Sequence, residues 1–202
     1  MSSNYTQDEI HIIDTLLDDI AIQLKDKPKR LRHSVSVSET AAKLAEVYGA
    51  DKFVCQVAGI LHDWDKATDK DKLNQEALAQ GIDLGVDISL VQPLLHGMVS
   101  AIKLKDKYPY LDDEVFNCIK YHTIGGSNLS DCEKIVFIAD AIEPLRGDIK
   151  PIQDIRNLVG KVSLDELYFK TYTMGMIYVI ETGRYLWPGT IDIYNKIVLQ
   201  NN

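Results

Sequence analysis

The chain has 202 residues, 46% of them hydrophobic and 26% charged, and carries a net charge of −8. That length suits one domain burying about 70% of its unfolded surface, and the composition excludes a disordered chain. The acidic balance argues against a general nucleic-acid binder, whose affinity comes from Lys and Arg on phosphates, yet metals and a few local cations would still admit a phosphorylated small molecule. No apolar run approaches the roughly 20 residues of a membrane span, and residues 1–9 have neither the basic nor the apolar region of a secretory leader. A cytoplasmic protein with no membrane partner is expected. Cys55, Cys118 and Cys132 show no CxxC spacing and sit in apolar helical stretches, which predicts buried thiols in a reducing compartment.

In chain order, Thr6-Gln7-Asp8-Glu9 reads as a capping box. Ile10, Ile13, Leu17, Ile20 and Leu24 then recur at helical spacing, in a helix expected to end at Pro28. His11 falls on this helix as a surface or packing residue. A second helix should open at Arg30-Leu31-Arg32-His33 and close at Gly49. A third, over residues 53–62, delivers His62 and Asp63 at its end. The charged stretch 65–72 predicts a solvated loop or helix start, with Asp65 and Asp69 as surface charges, Asp65 retaining the option of holding a metal-bound water. A short helix stops at Gly81, and a turn-rich connector and the apolar, Pro93-broken stretch 88–95 lead to a helix begun by His96-Gly97. Asp112-Asp113-Glu114 favours the next helix through its dipole, and that helix ends at His122-Thr123. Ser130–Glu133 and Ser163–Glu166 read as further capping boxes, the first opening a helix that contains Asp140. A short helix from Pro151 and a last one after Trp187-Pro188-Gly189 complete the chain. No sustained alternation demands a strand. The expectation is a single all-α domain spanning residues 1–202, with nine or ten helices and no linker or repeat.

Of five histidines, four stand where a bundle can converge side chains on one interior centre: His33 and His96 near helix starts, His62 and His122 at helix ends. Asp63 and Asp140 would join them. Asp140 lies among Ile135, Val136, Ile138 and Ala139, and an unpaired buried carboxylate there is costly, so a metal ion, Lys or Arg should compensate it. Each histidine taken alone also reads as a hydrogen-bonded core or surface residue. Taken together, four imidazoles and two carboxylates exceed one tetrahedral ion and suit two divalent ions bridged by an aspartate. Nitrogen and oxygen donors without thiolate favour Fe, Mn, Co or Zn.

The order His33 … His62-Asp63 … Asp140 resembles the HD-domain superfamily of metal-dependent phosphohydrolases, an all-helical group defined by H…HD…D ligands. Arg30-Leu31-Arg32-His33, Leu61-His62-Asp63-Trp64-Asp65-Lys66, Leu95-His96-Gly97, Tyr121-His122-Thr123-Ile124-Gly125 and the run from Ile138 to Arg146 resemble the YqeK family of bacterial symmetrical bis(nucleosyl)-tetraphosphatases. This motif core covers about residues 30–146, with the helices over 151–200 expected to pack on it. The resemblance implies an interior dinuclear centre, iron foremost, ligated by His33, His62, Asp63, His96, His122 and Asp140 with Asp63 as bridge. It also implies hydrolysis of diadenosine tetraphosphate to two ADP by a metal-activated water. The chain departs from the family pattern at Gly126, where a basic residue is frequent, and at Ser100, where glycine is frequent. The first touches one phosphate contact, and the second is expected to lie outside the chemistry.

Asp63 and Lys66 are therefore the expected catalytic pair. Arg30, Lys66 and Arg146, each near a ligand in sequence, are candidates to hold phosphoryl oxygens, and each also reads as a solvated side chain. Thr123 and the amides of Gly125 and Gly126 could cradle a phosphate or form only a turn. Glu143 could orient Arg146 or a ligand histidine. Trp64, Tyr108, Tyr110 and Tyr185 are candidates for base stacking. The expected partner is a nucleotide substrate, with a homodimer compatible with the sequence. Alternatives are an HD phosphohydrolase acting on nucleoside polyphosphates, alarmones or cyclic nucleotides, and a nucleotide-binding module without turnover.

Overall fold

Short polar side chains set where the helices of this chain begin. The computed structural model describes residues 5–200, so part of the stretch 1–9 read for a secretory leader lies outside the described residues. Helix α1 (Gln7–Gln23) starts at Thr6, which accepts from the Glu9 amide while the Glu9 carboxylate accepts from the Thr6 backbone. Two amide donors that the first turn leaves without intrahelical partners are thereby satisfied. Ser130 and Glu133 form the same reciprocal pair at α7 (Asp131–Ile142). At α9 (Leu164–Glu181) Ser163 accepts from the Glu166 amide, but Glu166 turns towards Lys170 at 3.5 Å, an i,i+4 attraction that competes with the return bond.

Pro28 does not terminate the first helix. Helix α1 stops at Gln23, and Leu24 is buried beneath the turn that follows. Pro28 instead opens α2 (Pro28–Tyr48), because a first-turn position has no use for the missing N–H. The second helix thus begins at Pro28 rather than Arg30. Gly49 closes it in the left-handed region, at φ 76°. Asp51 caps α3 (Lys52–Leu61), Asp69 caps α4 (Lys70–Ala79) and Asp112 caps α6 (Asp113–Tyr121). The Pro93 stretch forms two 3-10 turns, Ile88–Leu90 and Gln92–Leu94, which run directly into α5 (Leu95–Lys107). Helices α8 (Lys150–Arg156) and α10 (Pro188–Gln200) complete a chain that has ten α-helices and no strand among its described residues.

Helix α7 is the hub: it packs against α2, α3, α6, α8 and α9, and its Ile135, Val136, Ile138 and Ala139 are fully buried. The most extensive pairing is between α2 and α3, while α9 covers α7 and carries α10. Most buried apolar residues join one core that draws on every helix from α1 to α10 except α4. A smaller cluster of Leu73, Ala77, Val91, Leu95, Met98 and Val99 holds α4 to α5, and Trp187 ties into it by donating from its indole to the Leu84 carbonyl at 2.8 Å. The three cysteines are free and buried in the main core. No helix is long and apolar enough to cross a membrane among the described residues.

The α2–α3 crossing depends on Gly59. A Cβ there would fall 2.7 Å from the Cα of Ser38, and a helix backbone cannot yield as a side-chain tip can. Gly59→Ala should therefore cost about 1–3 kcal/mol through overpacking. In urea unfolding this will appear as a lower midpoint with an unchanged slope; an unchanged midpoint would show that the crossing has slack.

Candidate metal centre

Five segments bring the site together. His33 lies in the second turn of α2, His62 and Asp63 follow the last residue of α3, His96 sits in the first turn of α5, His122 follows α6, and Asp140 lies near the end of α7. All four imidazoles and Asp63 are buried. Asp140 keeps about 21% of its side chain exposed, so the apolar side of α7 leaves it partly open rather than sealed.

Each imidazole spends its Nδ1 on a fixed partner. His62 Nδ1 lies 2.8 Å from the Gly59 carbonyl, His122 Nδ1 2.7 Å from the Ile119 carbonyl and His96 Nδ1 3.1 Å from the Pro93 carbonyl. His33 Nδ1 lies 2.9 Å from Glu143 Oε1. An oxygen acceptor at Nδ1 selects the tautomer that donates there and leaves the Nε2 lone pair free. The four Nε2 atoms face inward, 3.3 Å apart for His33 and His62 and 3.0 Å apart for His96 and His122. Lone pairs held that close repel one another unless something positive lies between them. Burial pushes both His62 and His122 below the ordinary imidazole range, which favours neutral, ligating rings over protons as that positive charge.

Asp63 stands between the two histidine pairs. Its Oδ1 lies 3.1 Å from His96 Nε2 and 3.9 Å from His122 Nε2, whereas its Oδ2 is 3.7 Å from both His33 Nε2 and His62 Nε2. Asp140 Oδ1 adds to the second group, 3.0 Å from His33 Nε2 and 3.8 Å from His62 Nε2. Three overlapping sets have donors close enough to share a cation: His33/His62/Asp63, Asp63/His96/His122 and His62/His122/Asp140. These nitrogen and oxygen donors fit a divalent transition metal.

Cations stand beside both carboxylates. Arg30 Nη1 donates to Asp63 Oδ2 at 3.0 Å, and Arg146 binds the Asp140 carboxylate while its Nε donates to the Asp140 carbonyl at 2.7 Å. Burial works to raise the pKa of Asp140, but its hydrogen bond with His33 and the Arg146 guanidinium more than offset this and hold it well below the usual carboxylate range. Lys66 is half-buried, with its Nζ 3.5 Å from His96 Nδ1. Burial pushes its ammonium below the ordinary lysine range despite the nearby Asp63 and Asp140. Beside it a cavity of about 240 Å³ opens, lined by Lys66, Thr68, Leu73, Gln92, Pro93 and His96.

Other candidates from the sequence are employed elsewhere. The Gly126 amide donates to the Tyr168 hydroxyl at 2.9 Å, and the Gly125 amide donates to the Tyr121 carbonyl at 2.8 Å. Both N–H groups are thus engaged within the protein. Thr123 donates its hydroxyl to the Leu94 carbonyl at 3.0 Å, tying α6 to the start of α5. Trp64 and Tyr108 are buried and meet edge to face at 6.2 Å, which removes them as base-stacking surfaces. Tyr110 and Tyr185 are exposed, and His11 lies on the surface of α1.

The charged stretch after Asp63 holds the largest departure from expectation. Asp65 is not a surface charge: it is 1% exposed. Its Oδ1 accepts from Lys103 at 2.7 Å and from Thr68 at 3.1 Å, and its Oδ2 accepts from Ser100 at 3.2 Å. The signal for these partners lies on α5, where His96, Ser100 and Lys103 recur at i, i+4 and i+7 and so share one face. Gly97, on the adjoining face, lets α5 approach α6: a Cβ there would lie 2.7 Å from the Ile119 carbonyl and 3.0 Å from the His122 ring.

The HD domain family model matches residues 30–145, more than half of the chain, and this all-helical protein belongs to that family. Among curated relatives, it is 38% identical over 169 residues to the symmetrical bis(5'-nucleosyl)-tetraphosphatase of Staphylococcus aureus, covering 83% of this chain and 86% of that one. It is 31% identical to the protein of the same name from Halalkalibacterium halodurans, over 85% and 90% of the two chains. A solved structure from Clostridium acetobutylicum, described as a predicted HD superfamily hydrolase involved in NAD metabolism, superposes with a TM-score of 0.82 at 30% identity, over 93% of this chain and 97% of that one.

Glu143 is 1% exposed; it holds His33 through one oxygen and accepts from the Ser36 hydroxyl and the Leu145 amide, each at 2.6 Å, through the other. Glu143→Ala frees the His33 ring to turn and should weaken divalent-metal affinity about 10–100-fold. Metal titration followed by elemental analysis measures this, with circular dichroism as the folding control; wild-type affinity in a folded variant would detach Glu143 from the centre.

Proposed function

We propose that this protein hydrolyses symmetrical dinucleoside tetraphosphates, diadenosine tetraphosphate foremost, to two nucleoside diphosphates. The observation that carries the reading is the carboxylate of Asp63, whose two oxygens face different histidine pairs. That arrangement supports two divalent ions, which His33, His62 and Asp140 on one side and His96 and His122 on the other would hold, with Asp63 shared between them. Iron comes first among the candidates, with Mn, Co and Zn sharing the donor preference. The relatives bearing the symmetrical tetraphosphatase name support the substrate class. When bound, such ions supply Lewis-acid polarisation of a phosphoryl oxygen and a water nucleophile active near neutral pH.

The chain's own part is to hold and to neutralise. Asp63 fixes the spacing between the two halves, and the backbone carbonyls and Glu143 at each Nδ1 keep the imidazoles aimed. Arg30, Lys66 and Arg146 ring the open side, where three cations can draw the phosphoryl oxygens into line and meet the charge that gathers there during transfer. The cavity beside Lys66 receives one arm of the substrate, so that attack falls at a phosphorus next to the central bridging oxygen. A nucleoside diphosphate departs with no need for a strong proton donor. Gly125, Gly126 and Thr123 have no part in phosphate binding on this reading, because their donors are engaged within the protein.

Incubation of metal-loaded protein with diadenosine tetraphosphate should release ADP as the sole nucleotide product, and Asp63→Ala should lose both metal and turnover. ATP with AMP as products, or full metal content and activity in the variant, would overturn the proposal. Lys66→Ala should keep its metals and lose about 10–100-fold in kcat/KM, as expected when one positioned charge stabiliser is removed. Unchanged kinetics would show that Lys66 takes no part in turnover.

A further inference from the structure

Asp65 is a carboxylate taken almost wholly out of water immediately before Lys66, and its partners do not touch the metal-ligating set. Ser100, itself fully buried, bonds it twice: its hydroxyl accepts from the Asp65 amide at 3.1 Å and donates to Asp65 Oδ2 at 3.2 Å. Lys103 donates to Asp65 Oδ1 at 2.7 Å and extends to Glu76 on α4 at 3.1 Å. The segment that carries Lys66 is thereby fastened to α5 and, through Lys103, to α4. Helix α5 also bears His96, one turn before Ser100 on the same face, and Lys66 Nζ lies 3.5 Å from the His96 ring. The flexible lysine thus stands on a backbone fixed to the same rigid helix as the ligand it touches.

We propose that Ser100 and Asp65, with Lys103 as counter-ion, are positioning residues for hydrolysis, and that they act through Lys66 by holding its backbone at a set distance from His96. This rests on the tetraphosphatase reading above and goes beyond it, since neither Ser100 nor Asp65 faces the metal-ligating atoms in the interior. The physical reason is orientation: a lysine has a long mobile stem, and it delivers its charge reliably only if its Cα does not drift. A displacement on the order of 1 Å at such a group can cost about 100-fold in rate.

The test is a double-mutant cycle on metal-loaded protein with diadenosine tetraphosphate, recording kcat, KM and metal content well below the melting temperature. Ser100→Ala removes a single hydroxyl and should lower kcat about tenfold, as a part of that orientation effect, while metal content stays at the wild-type level. In a Lys66→Ala background the same substitution should have no further effect, because the group it places is gone. Asp65→Asn, which keeps shape and part of the hydrogen bonding, should fall between Ser100→Ala and wild type. A wild-type kcat in Ser100→Ala overturns the inference, and so do losses from Ser100→Ala and Lys66→Ala that multiply independently. A purely structural role would lower the melting temperature without producing the cycle. Wild-type protein that releases no ADP overturns the functional reading and the inference with it, whereas ADP release with independent losses overturns the clamp alone.

Discussion

Four buried imidazoles turned lone pair towards lone pair at 3.0 and 3.3 Å are an arrangement that protein alone does not favour. They are buried, and each ring's other nitrogen is committed to a carbonyl or carboxylate, so no ring can rotate away to relieve the repulsion. Positive charge resolves the conflict, and burial disfavours a charged imidazole at His62 and His122 as its source. The demand for a cation is therefore built into the backbone: three of the four Nδ1 partners are carbonyls lying just upstream at a helix start or end. The glycines at 59 and 97 follow from the same demand, because they let the ligand-bearing helices come close enough for the rings to meet.

Electrostatics at the mouth complement that interior. The protein carries a net charge of −8, yet Arg30 and Arg146 pair with Asp63 and Asp140, and Lys66 stands beside His96. A polyanionic ligand meets local positive charge where the reaction must occur. Two of these cations pair with the carboxylates of the centre, so they are oriented in advance by the groups they stand beside. The guanidinium has more donors than one carboxylate can occupy, so the pairing leaves N–H groups of Arg30 and Arg146 to spare.

Much of this was legible in the residue string, for reasons that differ from element to element. Thr6 and Ser130 announce their helices because capping is a local exchange of hydrogen bonds, and Gly49 announces an end because few other residues tolerate its φ. The six ligand candidates stood out because imidazoles and aspartates at helix ends are scarce and chemically marked. What escaped was tertiary. Asp65 reads as one charge among many, and only the approach of α5 shows that it is covered and paired. Gly125 and Gly126 look like a phosphate turn until Tyr168 arrives from far along the chain and takes an amide. Pro28 is ambiguous in the sequence because proline is compatible both with a stop and with a first turn, and in the fold it opens α2.

The candidate ligands come from five separate segments, which would tie occupancy of the centre to the durability of the whole chain. An ion that binds only the folded form adds its binding free energy to the barrier against opening, here by fastening α2, α3, α5, α6 and α7 at a single point. Under metal starvation the same polypeptide would expose its core more often and give proteases more openings. Scarcity of the ion would then reduce how many copies survive as well as how fast each one turns over.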